Sequence, residues 1–184
     1  MQISGHVVRS RYMFVRKFGE EALQKVLAAM PADSRKIVSD GPLETVWYPY
    51  QTLIDLSVAA DEILGRGDLK LCEDMGAFSC QQNLTGIYRV FFRFGNLNFL
   101  LDRAAKAFHS QYDFGSMRVI RDPENKYRVT LELTGVARPH RSMYLAIKGW
   151  AIKAAELSGS ELTDFVDGFS EDPEQPTTWT FEYM

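Results

Sequence analysis

The hydrophobic period of this chain first changes at Gly115, and that change limits the folds open to it. Ahead of it, apolar residues recur at helical spacing. Behind it, Tyr127, Val129, Leu131 and Leu133 alternate with Arg128, Thr130, Glu132 and Thr134, the pattern of a half-buried strand. Residues 116–121 read as its hairpin partner, joined through Asp122-Pro123-Glu124-Asn125. Pro139 starts a helix with Met143, Ile147, Trp150, Ala154 and Leu157 on one face. Residues 161–169 and 177–183 read as a second hairpin around a Pro-rich turn, with Trp179, Phe181 and Tyr183 sharing a face. Helices followed by β-β-α-β-β predict an α+β domain with a four-stranded antiparallel sheet. It is expected to be a single domain over 1–184, helical over 1–113 and sheet-forming over 114–184, with no strand before residue 100.

Within the helical part, Val7, Val8, Tyr12, Val15 and Phe18 mark a first helix that Gly19 breaks. Ala22, Leu23, Val26, Leu27 and Met30 mark a second, ending at Pro31 and followed by a loop through Gly41-Pro42. Trp47-Tyr48-Pro49-Tyr50 is expected to open the next helix, with Pro49 in its first turn, where a missing N–H is no loss. Leu53, Ser57, Ala60 and Leu64 line one face, and Gly65 caps the end. Asp68 is a candidate N-cap for a helix of more than twenty residues reaching Phe92, which Gly95-Asn96 stops. A further helix runs from Leu97 to about Tyr112.

The chain has 184 residues, 46% apolar and 24% charged, enough to bury a sizeable core without metal or disulfide. A net charge of -3 excludes a strongly basic nucleic-acid binder. No stretch approaches the length of a membrane span, no export signal opens the chain, and two cysteines fit a reducing compartment; a cytoplasmic protein is expected. After Lys153 the chain has no Lys or Arg but eight acidic residues, a solvated face or a docking surface for a basic partner.

Catalytic motifs are missing. There is no GxSxG, no phosphate-binding loop and no GxGxxG after a strand. His6, His109 and His140 have no His or Cys at metal-ligand spacing, and Cys72 and Cys80 read as buried thiols. Asp61, Glu62, Glu73 and Asp74 read as solvated residues of amphipathic helices. Arg138-Pro139-His140-Arg141 precedes a helix, where N–H groups and the dipole favour an anion; Arg138, His140 and Arg141 form a candidate site for an acidic ligand or partner. Arg9, Arg16 and Lys17 form a small basic stripe, too little to suggest nucleic acid. The densest signal is aromatic. Tyr88, Phe91, Phe92, Phe108, Tyr112 and Trp150 are candidates either for core alone or for an apolar ligand pocket between the long helix and the sheet.

Several local motifs, in order, carry a resemblance: Gly5; Phe18-Gly19-Glu20-Glu21; Trp47-Tyr48-Pro49; Glu73-Asp74-Met75-Gly76; the strand pair within 116–134; and Lys148-Gly149-Trp150. Together they resemble the haem–nitric oxide/oxygen-binding (H-NOX) domains, and more closely their haem-free relatives found as sensor-like proteins in myxobacteria. Vinyl-reductase-type ligand domains and TRAPP transport subunits are more distantly similar, through the β-β-α-β-β ending. The H-NOX resemblance implies a sensory or signalling module without catalysis, binding a small apolar ligand or a protein. A homodimer is compatible with it. It also places the iron-bearing histidine of the haem proteins near Ala104 or Ala105, with His109 about a turn away as the one substitute. Their propionate-holding Tyr-x-Ser-x-Arg motif falls in residues 130–137, which read TLELTGVA. No haem or other cofactor is therefore expected. The alternative is an interaction or assembly module whose aromatic core fills itself.

Overall fold

The computed structural model describes residues 1–83 and 97–184, the side chains of 83, 98, 99, 104 and 107 excepted. The expectations for Tyr88, Phe91 and Phe92, and for the course of the long helix after residue 83, lie outside the described residues. The helical part holds α1 (Gly5–Arg16), α2 (Glu20–Ala29), α3 (Ala32–Val38), α4 (Tyr50–Leu64), α5 (Leu71–Asn83) and α6 (Leu97–Gln111). The stretch after Pro31, expected to be loop, thus contains the two-turn helix α3.

Two short strands correct the expectation that none precedes residue 100. β1 (Gln2–Ser4) and β2 (Trp47–Pro49) pair antiparallel, with Ile3 opposite Tyr48. Trp47-Tyr48-Pro49 is therefore extended, and α4 starts only at Tyr50, with Pro49 as its cap residue. Three-residue strands are too short to show a period in sequence. Here position decides: Ile3 also bridges Tyr112 beyond α6, and the Asp113 N–H donates to the Gln2 carbonyl at 3.2 Å. The chain start, β2 and the end of α6 are stitched together.

The sheet follows expectation. β3 (Ser116–Arg121), β4 (Arg128–Thr134), β5 (Leu162–Gly168) and β6 (Thr177–Tyr183) form an antiparallel sheet in the order β3-β4-β6-β5. Val129, Leu131, Leu133, Trp179 and Phe181 are buried on its inner face. α7 (Arg141–Leu157) lies against that face. Tyr144 stacks on Trp179 with centroids 4.9 Å apart, and the indole N–H donates to the Tyr144 carbonyl at 3.1 Å. The acidic C-terminal run is partly neutralised within the fold: Glu156 pairs with Lys153, Asp167 with Arg141 and Glu182 with Arg128.

α5 and α7 cross so closely that only glycine fits. A Cβ on Gly76 would come within 1.9 Å of the Ala146 carbonyl oxygen, and one on Gly149 within 1.9 Å of the Glu73 carbonyl oxygen. Lys148 Nζ donates to Glu73 Oε1 at 2.8 Å beside the crossing. Asp61, expected to be solvated, is fully buried: its carboxylate accepts the N–H groups of Leu69 (2.8 Å) and Leu71 (3.0 Å). It thereby caps α5 from α4 and holds Leu69 at φ 65, a conformation most residues avoid. Asp68, the expected N-cap, accepts from the Lys70 N–H at 3.0 Å and pairs with Lys70 Nζ at 3.6 Å. Glu62 and Asp74 are exposed, as expected.

Candidate ligand site

α6 turns Leu97, Leu101, Ala105 and Phe108 inward at helical spacing. Tyr112 follows one turn later and stacks on Phe108 at 4.3 Å. Phe114 meets the Tyr112 ring edge-on at 5.6 Å and lies 4.9 Å from the Tyr50 ring. The Tyr50 hydroxyl donates to Met143 Sδ at 3.2 Å, linking this aromatic group to α7. Phe108 and Tyr112 are thus brought together as the sequence suggests. Trp150 is half-buried on α7, in ring contact with neither among the described residues.

Of the polar groups at this end of the core, Tyr50 and Cys72 are buried and Tyr112 is partly buried. Burial pushes the Tyr50 and Tyr112 phenols above their usual value. The Cys72 thiol is pushed up to about 11 and the Cys80 thiol to about 12, in both cases chiefly by burial, so both stay protonated at neutral pH. Among these neutral groups sits one charge that sequence analysis passed over. Arg11, on α1, is 4% exposed, and its Nε and Nη1 have no hydrogen-bond partner. Its guanidinium acts electrostatically on the Cys72 thiol and on the Tyr112 phenol. The signal was present in the spacing: Arg11 stands one turn after Val7 and one turn before Val15, on the stripe that α1 buries.

The Arg138-Pro139-His140-Arg141 cluster is arranged differently from an open anion site. Arg138 is exposed. Both terminal nitrogens of Arg141 bond the two oxygens of Asp167, and its guanidinium lies 4.7 Å from the Tyr144 ring centroid. Burial pushes the Asp167 carboxyl up, but the bonds from Arg141 and the Phe169 N–H outweigh it and hold it below the ordinary value. His140 is the N-cap of α7: Nδ1 accepts the Ser142 N–H at 3.2 Å and lies 2.8 Å from the Ser142 hydroxyl. The cluster fastens the start of α7 to β5, and the Arg141 fork is already occupied.

No family profile matches the sequence, and no curated protein matches it. Solved structures do match the fold. The Fe(II) unliganded H-NOX protein from K. algicida is similar with a TM-score of 0.75 at 12% identity, over 99% of this chain and 97% of that one. The chain has an H-NOX-like fold. An oxygen-binding H-NOX domain related to soluble guanylate cyclases is similar at a TM-score of 0.67 and 14% identity, over 98% of this chain and 95% of that one. A structure from work on haem distortion in the H-NOX family gives 0.68 at 15% identity, over 98% and 94%. At these identities the likeness shows the fold alone.

In this H-NOX-like fold the residues near the end of α6 do not fit a haem iron. His109 is exposed. It lines a surface recess of about 420 Å³ with Asp102, Ala105, Lys106, Met117 and Val119, and its ring meets the Phe108 ring edge-on at 6.1 Å. Ala105, buried, offers no ligand atom. β4 supplies no propionate clamp: Val129, Leu131 and Leu133 point inward, Thr130 bonds the Thr180 hydroxyl at 2.8 Å, and Glu132 pairs with Arg118.

Proposed function

We propose that this chain is a non-catalytic sensory module that binds a small molecule in the interior of an H-NOX-like scaffold, without haem. The observation that carries the reading is the combination of a whole-length H-NOX-like fold with the outward-facing His109. The scaffold is that of ligand-binding domains, while the imidazole nearest the expected iron position faces solvent. Haem held as the resemblance implies would need an inward axial imidazole, together with cationic or hydroxyl partners for buried propionates. The ligand sits by Phe108 and Tyr112, where stacked rings give an apolar wall and phenols give donors.

The test is expression with added haem followed by visible spectroscopy. The expected outcome is no stoichiometric Soret band in the wild type. A band that disappears in His109→Ala would overturn the haem-free reading. A second reading, an assembly module with no ligand, is favoured by the 4.3 Å Phe108–Tyr112 stack, which fills space with the chain's own rings. Native mass spectrometry separates the two, because a retained small molecule supports the sensor.

A further inference from the structure

Arginine keeps its proton in protein interiors, so a buried guanidinium must be compensated as a charge. A buried charge left unpaired costs several kcal/mol, and such residues are almost always paired. Burial lowers the Arg11 pKa, and among the described residues Cys72 and Tyr112 act against this. Both are themselves pushed up by burial and are neutral at pH 7.

Glu73, which acts on Cys72, is already engaged by Lys148 at 2.8 Å. No ion pair among the described residues includes Arg11. Asp61 is the buried carboxylate that acts on Cys72, and it uses its oxygens on the N–H groups of Leu69 and Leu71. Residues 84–96 read LTGIYRVFFRFGN and contain neither Asp nor Glu. The other residues whose side chains are not described are two Asn, two Ala and one Phe. Among the described residues nothing negative is set against Arg11, and residues 84–96 hold no carboxylate to add.

We propose that Arg11 binds the carboxylate of a small organic acid within the helical half, between α1, the start of α5 and the end of α6. The proposal rests on the reading of the chain as a ligand-binding module and names the chemistry of its ligand. A planar guanidinium matches a carboxylate through paired N–H donors, with Tyr112 near enough to add a phenol. The buried stripe that carries Arg11 is apolar, which favours an organic acid over an inorganic anion. Val7, Val8, Val15, Met75 and Phe108 belong to the same continuous apolar core as Cys72.

The full chain is tested by thermal denaturation with benzoate and decanoate, with benzamide and decanamide as uncharged counterparts, and with sodium chloride at matched ionic strength. Molecules extracted from natively purified protein are identified by mass spectrometry. In the wild type a carboxylate should raise Tm at concentrations at least tenfold below its amide, and the extract should contain an organic acid. Arg11→Met should remove the preference for acid over amide, lose the retained acid, and raise the Tm of the ligand-free chain. Arg11→Lys, which keeps the charge but not the fork, should bind the acid more weakly than wild type. The acid-versus-amide comparison in wild type stands even if Arg11→Met does not fold. Equal shifts from acid and amide would overturn the Arg11 assignment while leaving an interior ligand site in place. A shift from chloride alone would also overturn it. No shift from any probe, with no retained acid, would overturn both this assignment and the sensory reading.

Discussion

At the scale of single residues, two side chains make opposite predictions about pH and packing. His140 holds the first turn of α7 through a neutral Nδ1, and its pKa is lowered, by burial first, against the pull of Asp55 and Glu171. The unfolded chain therefore binds a proton more readily than the folded one. The stability this confers is complete above the ordinary histidine value of 6.5 and is lost as pH falls below it. Chemical denaturation between pH 8 and 5 should show a decline that His140→Asn, a non-titrating N-cap, flattens; an unchanged slope would refute the role. Asp61 makes the second prediction. Asp61→Ala leaves the Leu69 and Leu71 N–H groups without their acceptor and should cost about 1–3 kcal/mol in urea titration. A loss below half a kcal/mol would mean that water replaces the carboxylate. Asp61 was expected in solvent and Arg11 drew no expectation at all, for one reason. A charged residue on an apolar helix stripe defaults to solvent until its neighbours are known.

At the scale of elements, the crossing of α5 and α7 explains why two separate motifs belong together. Glu73-Asp74-Met75-Gly76 and Lys148-Gly149-Trp150 stand out in sequence as isolated strings. In the fold, each glycine admits the other helix's backbone, and Lys148 pairs with Glu73 across the contact. Gly149→Ala should force the helices apart and lower stability by about 1–3 kcal/mol. Thermal unfolding of Gly149→Ala beside Gly159→Ala checks this. Gly159 has open space around its Cβ position but a φ of 78, so it reports backbone strain without a clash. If both variants lose the same amount, the close approach is not what fixes Gly149. The strands of the large sheet were legible because alternation over six or seven residues has no helical equivalent. β1 and β2 were not, because three residues carry no period and their pairing joins residues 2–4 to 47–49.

At the scale of the whole molecule, a chain with no matching family profile folds as H-NOX domains do, at 12–16% identity. No helix among the described residues is long and apolar enough to cross a membrane. What the sequence by itself determined is whatever local period can encode: helices ahead of Gly115, two hairpins and a helix behind it, and an apolar face on α6. The order of those elements, together with the local motifs, suggested the fold. Tertiary structure alone decided which polar groups lost their water. It drew Asp61 inside as a cap, closed Arg141 onto Asp167, turned His109 outward and left Arg11 charged among neutral neighbours. The physical reason is that burial and pairing are set by residues distant in the chain. A helix stripe says which side faces the core, but only the packed partner says whether a charge placed there finds its counter-charge.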